Sequence, residues 1–168
     1  SNSSSRRLTR ANPRGEGVMT TNVHPVAFDL LSVGDALPPF TIGETQETIN
    51  QARPASVEAD SSVPNIHTDP EFAKNGLFTG TVNAGVITMA YVTQMLERWF
   101  PASTFYNGGR LLFKAIEPMR PGDSATFEGT ITCKRVEGGR KIVDCEIKGV
   151  NQLGGLIGVA EATLVLEE

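Results

Sequence analysis

The stretch Pro64-Asn65-Ile66-His67-Thr68-Asp69-Pro70-Glu71-Phe72-Ala73 places an imidazole directly ahead of a helix start. Imidazole is the side chain best matched to proton transfer near neutral pH, because its ordinary pKa lies close to it. A histidine in such a loop has a second use: it can cap the helix or bond a backbone carbonyl. A longer, almost uncharged segment follows within about twenty residues. Thus His67 sits between two elements able to hold it in place. Metal chemistry is not expected. The chain has two histidines, His24 and His67, and two cysteines, Cys133 and Cys145, with no metal-ligand spacing around them.

The elements around His67 are legible from helix and turn signals. Thr68 or Asp69 can cap a short helix, Pro70 suits its first position, Glu71 favours the positive end of its dipole, and Asn75 or Gly76 can end it. The second helix is expected from about Asn83 to Trp99, with Pro101 as a stop. Ala84 to Leu96 contains no charged residue, and its apolar positions run nearly all the way round, which predicts burial on most sides. Thr88 and Thr93 on it are expected to bond back to helix carbonyls, and Tyr91, Met89 and Met95 to belong to the core.

Upstream, Val33 to Phe40 reads as a turn leading into a strand at Phe40 to Ile42. Glu44 to Asp60 reads as partly helical, interrupted near Pro54. Downstream, strands are expected at Arg110 to Ile116, Ser124 to Val136, Lys141 to Val150 and Leu156 to Leu166, as a meander. Cys133 and Cys145 fall on consecutive alternating runs, which predicts two reduced core residues opposite each other or one rung apart. One strand, helical pieces, a buried helix and four strands fit an α+β domain with an antiparallel sheet wrapped around a helix. The basic residues Arg110, Lys114, Arg120, Lys134 and Arg135 are expected mostly on the solvated face.

Composition narrows the function classes. Residues 1–18 are rich in Ser, Asn and Arg with no apolar period, so residues 1–22 read as a flexible extension and 23–168 as a single domain. Met19 is a candidate natural start. Without the four arginines and one glutamate of residues 1–18, 11 basic and 18 acidic residues remain, a net charge of −7. Such a balance argues against nucleic-acid partners. No run is long and pure enough to suggest a membrane span, and the apolar core of a secretory signal is missing, so a cytoplasmic location is the expectation.

Three stretches together resemble the MaoC-like acyl dehydratases, or (R)-specific enoyl-CoA hydratases, of the hotdog fold. The first is Ile66-His67-Thr68-Asp69-Pro70-Glu71-Phe72-Ala73, similar to the family's Ile-His-x-Asp-x-x-x-Ala. The second is Val82-Asn83-Ala84-Gly85-Val86-Ile87, similar to the stretch that opens the family's central helix. The third runs from Phe113 through Pro118 to Pro121-Gly122-Asp123. The resemblance spans roughly Val33 to Leu166. It implies an α+β hotdog domain that hydrates a 2-enoyl thioester or dehydrates a 3-hydroxyacyl thioester, with the carrier, coenzyme A or acyl carrier protein, as part of the substrate and no separate cofactor. It also implies a role in fatty-acid metabolism and a homodimer, or a higher oligomer, with sites at the interface.

Residue by residue, the resemblance makes His67 the proton-transfer group. Gly85 lies where the family's backbone donor to the thioester oxygen stands, at a helix N-terminus and with no Cβ in the way of the substrate. The family holds a catalytic water between the histidine and an Asp five residues before it. Here that position is Ser62, with Asp60 two residues and Glu58 four residues further back, so Ser62 or Asp60 is expected to complete the water site. The family's Asn-Pro appears as Pro64-Asn65, and its His or Gln before the helix glycine is Ala84. Asn65, Asn83 and Ala84 are the expected substrate-contacting positions. Two alternatives accompany this reading: a hotdog acyl thioesterase, and a non-catalytic hotdog subunit that pairs with an active partner.

Overall fold

The computed structural model describes residues 26–51 and 63–166. Strand β1 (Ala36–Gly43) leads to the short helix α1 (Gln46–Gln51), then α2 (Pro70–Lys74), the central helix α3 (Gly85–Glu97) and a one-turn helix α4 (Ser103–Tyr106). Strands β2 (Arg110–Ala115), β3 (Ser124–Glu137), β4 (Arg140–Asn151) and β5 (Leu156–Leu166) complete the chain. One antiparallel sheet forms in the order β1-β3-β4-β5-β2. The helix start at Pro70 is built as its sequence predicts: Asp69 accepts the Phe72 N–H at 3.0 Å, and Asn75 closes the helix.

Three sequence expectations need correction, and one element was not foreseen. Strands β3, β4 and β5 form a meander, but β2 crosses over to pair with β5 instead of β3. The segment 116–123 makes that crossing and so passes the start of α3. The stretch after Pro101 first forms α4, whose Thr104 hydroxyl donates to the Pro101 carbonyl at 2.8 Å. Helix α3 is buried on one side only: Thr88, Tyr91, Val92, Met95 and Leu96 face the sheet, while Val86 and Met89 are exposed. A single five-stranded sheet can cover one flank of a helix and no more. Finally, a bulge between Ile131 and Cys133 changes which side faces inward. The two thiols lie on adjacent rungs, Cys145 paired with Ile131 and Cys133 with Asp144, and both are free as expected; only Cys145 is buried in the core, Cys133 being half-buried and not facing it.

The core lies between the inner face of the sheet (Leu37, Phe40, Phe127, Ile131, Val143, Ile147, Ile157, Leu164) and α3. Close approach is set by glycine at two places. A Cβ at Gly129 would lie 2.9 Å from Leu37 and 3.1 Å from Met95, and one at Gly149 would lie 2.5 Å from the Phe127 ring. The Phe127 ring therefore fills the space beside Gly149 and stacks on Phe40, with centroids 6.5 Å apart. Among the described residues no helix is long and apolar enough to cross a membrane. No group of three or more metal-ligating side chains occurs among them either.

Candidate active site

His67 is half-buried in the loop before α2, and its position is set from four directions. Asn65 shapes the loop: its Oδ1 accepts the backbone N–H groups of His67 (2.9 Å) and Thr68 (3.0 Å), and its Nδ2 donates to the Thr68 hydroxyl at 2.8 Å. Gln46, on α1, donates from Nε2 to the His67 carbonyl at 2.9 Å and accepts from the Thr81 hydroxyl at 2.5 Å. The loop is tied to the segment before α3 where Val82 N–H donates to the Ile66 carbonyl at 3.2 Å. The ring itself bonds there too, with Nδ1 2.8 Å from the Val82 carbonyl oxygen.

That last contact fixes the chemistry of the ring. A carbonyl oxygen only accepts, so Nδ1 must carry the proton. The neutral imidazole then has its lone pair on Nε2, which is the arrangement a general base needs. Of the two structural roles open to a histidine in this loop, capping is filled by Asp69, whereas the bond to a backbone carbonyl is the one the ring makes.

Three residues beyond Val82, Gly85 begins α3. The Ala84 carbonyl accepts from the Ile87 and Thr88 N–H groups, so the first intrahelical acceptor serves those two. The N–H groups of Gly85 and Val86 have no acceptor within the helix, and they stand at its positive end. Gly85 is exposed, and a Cβ there would meet only Ala115, at an ordinary 3.9 Å. The chain between Val82 and Gly85 spans at most about 11 Å, so the carbonyl that orients His67 and these donors belong to one short segment.

The other expected residues fall as follows. Asn65 uses its amide on the loop itself. Ala84 is the N-cap of α3 and makes no side-chain cap. Asn83, for which substrate contact was expected, is 4% exposed, and its amide is bonded to Glu44 and Thr88. The Thr88 hydroxyl bonds Asn83 where a helix carbonyl was expected, whereas Thr93 bonds the Met89 carbonyl as anticipated. Ser62, Asp60 and Glu58 lie outside the described residues, as does His24. Lys134 and Arg135 are not free surface cations: Lys134 donates to the Leu31 carbonyl at 2.9 Å, and Arg135 pairs with Asp144 and Glu137.

Sequence reading missed Glu44, Gln46 and Tyr91 as site-shaping residues. One signal was present. Counting in twos from inward-facing Phe40 through Ile42 reaches Glu44, an acid on the buried parity of a strand.

A five-stranded antiparallel sheet around one helix, with a histidine loop packed on the segment that opens that helix, is the hotdog arrangement. The MaoC like domain family matches residues 55–151, and the chain belongs to that family of hydratases and dehydratases. Solved structures agree on the fold. An R-hydratase, PhaJ1 from Pseudomonas aeruginosa, superposes with a TM-score of 0.66 at 19% identity over 84% of this chain and 85% of that one. The (R)-hydratase from A. caviae involved in PHA biosynthesis gives 0.64 at 20% identity, over 82% and 98%. The HadBC 3R-hydroxyacyl-ACP dehydratase complex from Mycobacterium tuberculosis gives 0.57 at 20% identity, over 80% and 96%. A comparison with curated proteins returns no match.

Proposed function

We propose that this chain catalyses the reversible addition of water to a trans-2-enoyl thioester, giving a 3-hydroxyacyl thioester. The observation that carries the reading is the bond from His67 Nδ1 to the Val82 carbonyl, which leaves Nε2 as the basic nitrogen in the loop packed against the start of α3. In the hydration direction Nε2 takes a proton from water as the water oxygen bonds to C3. The electron pair of the C2–C3 double bond moves toward C2 and the thioester oxygen, where charge is met by the Gly85 N–H at the positive end of α3. A proton returned to C2 completes the addition. Asp60 or Ser62 is proposed to share the water with His67. Two of the similar structures are named as R-hydratases and one as a 3R-hydroxyacyl-ACP dehydratase, which supports this substrate class.

We further propose that the working unit is a dimer of this chain. Strand β2 is one of the sheet's two outer strands, and beside it the exposed flank of α3 presents Val86 and Met89. An apolar flank next to an open strand edge is the kind of surface a second sheet covers.

The test is the ultraviolet absorbance of the conjugated enoyl thioester. Wild-type protein should remove it from crotonyl-CoA or from longer or branched enoyl-CoAs, and His67→Ala should slow that loss. Wild type that leaves all of them untouched, or that instead releases free thiol from saturated acyl-CoA, contradicts the proposal.

A further inference from the structure

Among the described residues Glu44 is the only fully buried carboxylate or cationic side chain, 1% exposed. Its surroundings consist of donors. Tyr91 O–H donates to Oε2 at 2.9 Å, Asn83 Nδ2 donates to the same oxygen at 3.1 Å, and the Thr48 hydroxyl donates to Oε1. Burial, then the bond to Glu44, then its charge push the Tyr91 phenol well above its ordinary range. A buried carboxyl group is costly even when hydrogen-bonded, and nothing about packing β1 on α3 requires one.

The backbone of Glu44 reaches the same region. Its N–H donates to the Asp123 carbonyl at 2.7 Å and its carbonyl accepts from Gly122 N–H at 2.8 Å, so Glu44 holds the crossing segment that carries Met119. Met119 in turn accepts from the Asn83 N–H at 2.9 Å. That N–H and the Val82 carbonyl belong to one peptide unit. The unit is therefore bracketed between the Met119 carbonyl on one side and the His67 ring on the other. Glu44 grips this unit twice, through the Asn83 side chain and through the segment bearing Met119.

We infer that Glu44 is a positioning residue: acting through Asn83, it fixes the peptide unit whose carbonyl selects the Nδ1–H form of His67, and with it the start of α3. The functional part of this inference rests on the hydratase reading; the structural part does not. What the arrangement requires of residue 44 is an acceptor oxygen for Asn83 and Tyr91. A glutamine supplies it, because its amide N–H can donate to the Thr48 hydroxyl oxygen in place of the bond Thr48 now makes to Oε1.

The experiment uses the full chain labelled with ¹⁵N and reads the two-bond ¹⁵N–¹H correlations of the imidazoles at a pH where they are neutral. With only two histidines, His24→Gln assigns the spectrum. Wild type should show His67 as the Nδ1–H tautomer. Glu44→Gln should keep that tautomer and most of the turnover. Glu44→Leu and Asn83→Ala should lose the tautomer's dominance and lower kcat about 10- to 100-fold, the scale expected for a displaced reacting group, with KM little changed. If Glu44→Leu does not fold, Asn83→Ala and Tyr91→Phe carry the test. A folded Asn83→Ala with His67 still wholly Nδ1–H overturns the inference. So does a Glu44→Gln that keeps the tautomer yet is inactive, because Glu44 would then take part in the chemistry itself. Wild type without activity on any enoyl thioester would remove the hydratase reading, and the tautomer comparison would still decide the positioning role.

Discussion

At the scale of residues, the proposed reaction rests on one ring and one amide. His67→Ala is expected to lower kcat by about 10²- to 10⁴-fold, the usual contribution of a positioned general base, while the melting temperature changes little, since the ring is only half-buried. Gly85→Ala separates two roles for that glycine. The added methyl meets nothing closer than Ala115 at 3.9 Å, so the protein should fold with unchanged stability. If the thioester passes over Gly85, KM should rise; equal KM in thermally unaltered protein would mean the substrate lies elsewhere. Burial pushes the Cys145 thiol up to about 12, with the charge of Asp144 adding to it. The thiol is therefore ionised more readily in the unfolded chain than in the folded one. Its contribution to stability is complete below its ordinary pKa and is lost as pH rises from there toward 12. Native protein should leave Cys145 unmodified by thiol reagents at pH 8, and denaturation should expose it. The place of His67, in the loop ahead of a capped helix, was legible in the sequence because the helix signals after it are strong. The expected core place of Cys133 did not hold because a bulge leaves no mark in an alternating pattern. Glu44 was overlooked because its importance comes from Asn83 and Tyr91, 39 and 47 residues away along the chain.

At the scale of elements, local signals were most reliable where backbone chemistry alone decides the outcome. Helix α2 begins at Pro70 behind its Asp69 cap as the sequence predicts, and Asp69→Ala should cost about 1 kcal/mol in chemical denaturation. The last strand was read to the residue, because apolar alternation between glycine turns leaves little freedom. The place of β2 in the sheet could not be read the same way. Strand order depends on a long-range choice between β3 and β5 as neighbours, and both offer compatible faces. Gly149 illustrates a constraint visible only in three dimensions. Its missing side chain is the space taken by the Phe127 ring, so Gly149→Ala should destabilise by about 1–3 kcal/mol through overpacking, measured as a lower denaturation midpoint.

At the scale of the whole molecule, the family, the fold and the half-open helix belong together. A sheet of five strands wraps one flank of α3, and the uncovered flank next to β2 is where the proposed dimer would place its second sheet. Light scattering should give twice the 18.0 kDa chain mass. Met89→Lys should shift that mass toward the monomer, since this side chain is exposed on the uncovered flank of α3. A wild-type mass equal to one chain would contradict the dimer. The proposed reaction is measured most directly by enoyl-thioester absorbance followed with wild type and His67→Ala side by side. Rapid loss is expected with wild type and a rate reduced at least about 100-fold with the variant. Equal rates for the two proteins, or no loss with either across short, long and branched enoyl chains, would contradict it.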